Sequence, residues 1–326
     1  MWRKIGQIAA VILGWGVILA YIIFASHLTQ KNRSQQRVQT VNISWPGDGV
    51  NSSFVTLEQM RWKLKLSGLN IEEELIDRVD VAGLSEYIAR DGFVKDVDVY
   101  VSSVGNLYID IEQHEPVLRL MSGGFNSYVT ESADVFCRPT ESAYYASVVT
   151  GSFIPHFDVN FEGNAKRYFS DLVNVETENL RKIRNDLVEL KNERKECEDE
   201  DKLVALDMRE ERLKRAREES ENYKKKLQKR SGDFTNLINF VSKVGRDPFW
   251  SAEVVQFVAD TTYMGEISLR LIPRSGNFEI VFGTLENSDD KLAKLYKFYD
   301  KGLPHVGWER YKVVDVRYDK QIICRN

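Results

Sequence analysis

The chain has 326 residues, with 43% hydrophobic and 29% charged side chains and a formal net charge of −4. Such a length and balance exclude a minimal module, a fibre and a wholly disordered chain, and the slight acidity offers no electrostatic basis for nucleic-acid binding. Cys137, Cys197 and Cys324 are scattered and odd in number, which suits neither a disulfide framework nor a metal site, so no cofactor or metal is expected.

Residues 5–30 contain no Asp, Glu, Lys or Arg. As a helix rising about 1.5 Å per residue, the apolar run from Ile5 to about Ala25 matches the hydrocarbon thickness of a bilayer. Ile5, Ile8, Val11, Ile12, Leu13 and Val17 supply its first half, and Ile18, Leu19, Ile22, Ile23 and Phe24 its second. A cleaved signal peptide ending at Ile23-Phe24-Ala25 is the rival reading, but its apolar core is usually only about 7–15 residues. The expectation is a short tail at 1–4 and one transmembrane helix over 5–26. Arg3 and Lys4 before it, and Lys31, Arg33 and Arg37 after it, do not fix its orientation.

Val38–Trp45 has a strand-like pattern ending at Pro46-Gly47. A helix is expected to start at Thr56-Leu57, with Leu57, Met60 and Leu64 on one face, and a second to run from Leu84 to Arg90. The period then becomes two. Val97, Val99 and Val101 alternate with polar residues, Gly105-Asn106 turns the chain, and Leu107, Ile109 and Ile111 alternate again. His114-Glu115-Pro116 closes a unit of strand, helix, helix, strand, strand over 38–116.

Residues 176–230 hold 17 Lys/Arg and 16 Asp/Glu, with no Gly or Pro between Gly163 and Gly232. Leu180, Ile183, Leu187 and Leu190 step by 3, 4 and 3, as an a/d seam does. The seam lapses at Glu198–Asp201 and resumes in another register through Leu206, Leu213, Ala216, Tyr223 and Leu227. Two antiparallel arms, 172–197 and 203–230, are expected, and one straight helix is the alternative. The hairpin is either a solvated surface feature or a coiled coil that recruits a partner. Asp233–Val244 also looks helical.

Further strands are expected at Ile267–Leu271, Phe278–Phe282, Tyr311–Tyr318 and Gln321–Cys324. Between them Ser288–Lys301 reads as an amphipathic helix, capped by Ser288 or Asp289 and stopped at Gly302, with Leu292, Leu295, Tyr296 and Tyr299 on its buried face. A sheet whose last strand lies at its border offers an edge to another chain.

This order of anchor, small βααββ unit and mixed sheet domain resembles the FtsQ/DivIB family of bacterial cell division proteins. The residues carrying the resemblance are Gly92–Val99, Leu107–Val117, Val148-Val149-Thr150-Gly151, Gly307–Tyr311 and Val314–Asp319, with Bacteroidetes-like wording at Ile272–Asn277 and Asp300–Pro304. His114 stands where the family usually has Arg, and the charged stretch replaces a short connection. The resemblance implies an α+β fold: one transmembrane helix, a POTRA domain over 38–116, and an FtsQ-type β-domain over 117–326 interrupted by a helical hairpin at 172–231. It further implies an inner-membrane division scaffold without catalytic chemistry, its N-terminus cytoplasmic and its bulk periplasmic. Its partners would be FtsB- and FtsL-type coiled-coil proteins and, through them, the septal peptidoglycan synthase complex. Carried over by motif, the strand-accepting edge includes Arg317 and Tyr318, and by position Ile322 and Cys324.

No catalytic constellation can be assembled from His27, His114, His156 and His305, which are isolated, and Ser122-Gly123-Gly124-Phe125 lacks the Lys of a phosphate loop. A periplasmic adaptor of a secretion or efflux system is the alternative, but it should show two similar glycine-rich half-motifs flanking the hairpin. The flanks Val148–Phe169 and Asp233–Val244 are unlike each other.

Overall fold

The computed structural model describes residues 15–24, 36–45, 54, 56–68, 71, 74–137 and 144–326. Residues 15–24 are helical, and Val17, Ile18, Leu19, Ile22, Ile23 and Phe24 on them are exposed. The other proposed anchor residues, Ile5, Ile8, Val11, Ile12 and Leu13, lie outside the described residues, as does the tail at 1–4. Among the described residues no helix is long and apolar enough to cross a membrane.

The chain divides into two compact units, Met1–His114 with Glu141–Tyr144, and Glu115–Thr140 with Tyr145–Asn326. The first contains β1 (Thr40–Ser44), α1 (Leu57–Leu66), a 3-10 turn (Ile76–Arg78), α2 (Val81–Ala89), β2 (Val94–Val101) and β3 (Asn106–Gln113). Its sheet order is β1-β3-β2, with β1 parallel and β2 antiparallel to the central strand. Alternation explains the burial: Leu107, Ile109 and Ile111 of β3 are all fully enclosed. The helices cover that face with Met60 and Leu64 of α1 and Leu84 and Ile88 of α2, while Leu57 stays exposed. Thr56 and Gln59 form a reciprocal capping box at α1. Between β2 and β3, Gly105 has φ +90° and an added Cβ would lie 2.9 Å from the Arg37 carbonyl, so the turn requires glycine.

The second unit is built on one sheet of ten strands in the order β13-β12-β11-β10-β9-β7-β4-β5-β6-β8. Its strands are β4 (Pro116–Leu120), β5 (Ser127–Thr130), β6 (Asp134–Cys137), β7 (Ser147–Thr150), β8 (Gly163–Asn164), β9 (Val254–Thr261), β10 (Ile267–Pro273), β11 (Glu279–Gly283), β12 (Val313–Asp315) and β13 (Ile323–Arg325). The sheet is mixed: β4 with β7, β7 with β9 and β11 with β12 pair parallel, and the remaining neighbours antiparallel.

Two long helices separate β8 from β9: α3 (Ala165–Glu196) and α4 (Glu200–Arg246), with the short α5 (Pro248–Glu253) after them. The acidic run breaks the helix, because Asp199 leaves helical geometry and its carboxylate accepts from the Asp201 and Lys202 amides to start α4. Contacts between Arg194 and Asp207 (3.0 Å), Arg194 and Glu210 (3.3 Å), Glu193 and Arg209 (3.6 Å) and Glu176 and Ser220 set the arms antiparallel and exclude one straight helix. α3 starts before its expected beginning and α4 runs past both of its expected ends. α4 continues past Arg230 because its composition changes: Phe234, Leu237, Ile238, Val241 and Val244 recur at helical spacing and are buried in the core beneath the sheet.

The C-terminal helix also departs from its expected form. α6 (Ser288–Lys297) follows Asn287, which is left-handed at φ 50°, and neither Ser288 nor Asp289 caps it. A π-helical turn (Phe298–Gly302) and α7 (Leu303–Val306) prolong it, so the stop is Gly307 at φ +93° rather than Gly302. Leu292, Leu295 and Tyr299 are buried, whereas Tyr296 is exposed.

Candidate partner-binding edge

At one border of the ten-stranded sheet stand β11, β12 and β13. β11 leads through α6 and α7 to β12, which pairs parallel to it, and β12 pairs antiparallel with β13 at Val313↔Arg325, Val314↔Cys324 and Asp315↔Ile323. β13 ends the strand order, so among the described residues its outer edge carries no strand.

Alternation decides which way each side chain faces. Val314 and Val316 are fully buried, and Ile322 and Cys324 beside them pack partly onto the same core. Cys324 is a free cysteine, and burial pushes its thiol pKa up. Asp315 and Arg317 belong to the opposite face. The Asp315 side chain is only 1% exposed, yet it accepts from Arg317 Nε at 2.9 Å, Arg317 Nη2 at 2.6 Å and the Arg317 amide at 3.2 Å, and from Arg325 Nη2 at 3.4 Å. Burial alone would raise its pKa, but the Arg317 hydrogen bonds and both positive charges outweigh burial and hold the carboxyl below its ordinary range. The same contacts push the Arg317 guanidinium up.

A glycine makes room for this clamp. Gly283 lies at a register shift between β10 and β11 with φ +75°, and an added Cβ would meet Arg317 Cγ at 2.7 Å. From α6, Lys294 Nζ donates to the carbonyls of Val316 (2.9 Å) and Tyr318, which pins the chain as it leaves β12.

The four predicted residues therefore occupy different settings. Arg317 and Tyr318 lie past the end of β12, which covers three residues rather than the expected eight. The Arg317 fork is spent on Asp315 within its own chain. Tyr318 is 44% exposed, with the guanidinium carbon of Arg317 5.9 Å from its ring centre. Ile322 precedes β13, Cys324 lies within it, and both face inward. Sequence reasoning did not assign Asp315, Arg325, Gly283 or Lys294. The Asp-x-Arg spacing could have revealed the first, since residues two apart share a strand face, whereas Arg325 needed the register of another strand.

The motif Val148-Val149-Thr150-Gly151 has a steric cause. Gly151 has φ +114°, and a Cβ there would fall 2.2 Å from the Ala259 carbonyl oxygen. Ser122 Oγ donates to the Gly151 and Phe153 carbonyls, and the Ser152 amide donates to Asp260 at 2.9 Å.

Residues 216–325, from the middle of α4 through β13, match the family model described as FtsQ/DivIB, C-terminal related. Over these residues the chain is similar to the FtsQ/DivIB C-terminal related family. The matched stretch is roughly the last third of the chain and contains the whole β11–β13 border. The match does not extend over the N-terminal unit, and no curated protein matches the chain.

Proposed function

We propose that this protein is a non-catalytic scaffold of the division machinery, which takes a strand from an FtsB-type partner along the free edge of β13. The observation that carries this reading is the position of β13 at the end of the ten-strand order. Strand addition draws affinity from backbone N–H and C=O groups and specificity from side chains at alternate positions. Arg317 acts as an internal clamp that fixes the exit from β12, and Tyr318 is the exposed aromatic anchor beside the edge, with few rotors to freeze on binding. Through FtsB- and FtsL-type proteins the scaffold reaches the septal peptidoglycan synthase complex.

In this reading residues 5–26 anchor the chain in the inner membrane, leave a short cytoplasmic N-terminus and place both units in the periplasm at the septum. The βααββ unit with order β1-β3-β2 serves as its POTRA domain. The adaptor alternative has no observation in its favour: one flank of the hairpin is the two-residue β8 and the other is the sheet-packed part of α4 itself.

Site-specific photo-crosslinking in living cells tests the proposal, with the probe at Tyr318 and a control at Leu213 on the hairpin. Capture of a small coiled-coil division protein from position 318 is the expected result. Silence at 318 with capture of a transport component from 213 would overturn it. Tyr318→Ala is expected to weaken binding of the FtsB-type partner about tenfold while leaving the circular dichroism spectrum unchanged.

A further inference from the structure

Where the base of the helical hairpin meets the sheet, the segment Ser152–His156, Phe169 of α3, the middle of α4 and the β9–β10 turn enclose a cavity of about 450 Å³. That volume lies in the range of small-ligand sites, about 300–1,000 Å³. Its floor is apolar: Phe153, Phe169 and Phe234 are buried, and the rings of Phe153 and Phe234 lie nearly parallel with centres 6.4 Å apart. Two apolar side chains on its wall, Ile154 and Met264, remain 48% and 63% exposed. The loop is held in place by the Ser152 contacts to Asp260 and by the Phe153 amide donating to the Ala259 carbonyl at 2.9 Å.

Three cations of α4 line this cavity: Lys226, Lys229 and Arg230. Lys229 donates to the Met264 carbonyl at 3.3 Å, and its charge acts on Asp233. Lys226 and Arg230 have no hydrogen-bonding or ion-pair partner among the described residues. Elsewhere on the hairpin Arg194, Arg209, Lys214 and Arg217 find carboxylates, whereas Lys182, Arg184, Arg212 and Arg215 are exposed to solvent, so it is the place of Lys226 and Arg230 on the cavity wall that sets them apart. Lys226 and Arg230 stand four residues apart, an arrangement in which like charges destabilise a helix. Helix stability therefore gives no reason for the pair. Both also face His156, whose pKa is lowered first by burial and then by Arg230 and Lys226. Asp233, which also lines the cavity, offsets one of the three cations and lies under the charge of Lys229, so Lys226 and Arg230 stand over the hydrophobic floor without an anion paired to them.

We infer that this cavity binds a small amphiphilic anion, its flat apolar body against Phe153, Phe234 and Met264 and its acidic group paired with Lys226 and Arg230. A guanidinium fork next to an ammonium suits a carboxylate, sulfonate or phosphate ester, and the exposed Met264 supplies a deformable apolar wall. The acidic group is carried either by a soluble molecule or by a lipid; the chemistry of recognition is the same.

The test is isothermal titration of the full chain, held in phosphatidylcholine nanodiscs, with 2-naphthalenesulfonate, using empty nanodiscs as the blank. One saturable site per chain is expected. Lys226→Gln with Arg230→Gln should weaken it at least tenfold, without changing binding of uncharged 2-naphthol. Lys224→Gln with Lys225→Gln, the same loss of charge at neighbouring positions that do not line the cavity, should leave the affinity within twofold. Loss of the site in phosphatidylglycerol nanodiscs identifies a lipid headgroup as the natural source, and persistence there identifies a soluble anion. No saturable binding, or equal affinity in the Lys226/Arg230 variant, overturns the inference.

Discussion

Asp315 is the least exposed charged side chain at the sheet border, and its contacts with Arg317 and Arg325 hold it ionised against the effect of burial. Its pKa is below that of an unfolded Asp, so its contribution to stability is complete above the unfolded value. That contribution is lost as pH falls below about 4, when the folded carboxyl takes up its proton. Asp315→Asn should cost about 1–3 kcal/mol at pH 7 and flatten the acid limb of a denaturation curve; an unchanged acid limb would sink this account. The cost stays at that level because both arginines are half exposed and water can take them back. Gly151→Ala combines a left-handed φ with a backbone collision, and should lower stability by at least about 2 kcal/mol in urea denaturation. A loss below half of that would show that β7 and β9 part easily. Gly151 was legible as part of a motif, but its reason was not, because the colliding carbonyl belongs to a residue more than a hundred positions away.

At the scale of elements, periodicity revealed several half-buried elements, though β9 was missed despite its eight residues. β3 with its enclosed Leu107, Ile109 and Ile111 stands where strict alternation put a strand, and the seam residues Leu190 and Leu227 are buried between or beneath the arms. The strands from β4 to β8 were barely visible. They are two to five residues long, and β5 is buried at all four positions, so there is no alternation to read. Pro116, taken as the end of a strand, instead begins β4, since a first position can dispense with the missing amide donor. The same logic separates two parts of α4. Beyond Glu176 and Ser220 the arms touch mainly each other through ion pairs, whereas Phe234–Val244 belongs to the core. Replacing residues 180–216 by a short Gly-Ser turn should therefore shift the melting temperature of the sheet unit by no more than about 3 °C. Cooperative loss of the sheet on that excision would place the hairpin in the folding core.

For the whole molecule, the order of the sheet bears on the cysteines. Cys137 on β6 and Cys324 on β13 are eight strands apart in the order, roughly 38 Å at about 4.8 Å per step, so they cannot form a disulfide within one chain. A thiol count on unreduced monomer should find both free, and a bond between them would refute the strand order. The anchor was the most conspicuous feature of the sequence, yet only residues 15–24 of it are described, about 15 Å of helix. Retention of the chain in the membrane fraction after an alkaline wash is expected, and its release would remove the anchor from the proposal.

One continuous helix joins the solvated arm to the floor of the sheet. From Asp199 to Phe234 α4 projects about 50 Å, and its next turns carry Leu237, Ile238, Val241 and Val244 in the core. A rigid rod mounted this way is a lever: a load applied at its tip turns about the sheet with a long moment arm, and the torque passes through Phe240 to Phe257 of β9 and Phe282 of β11.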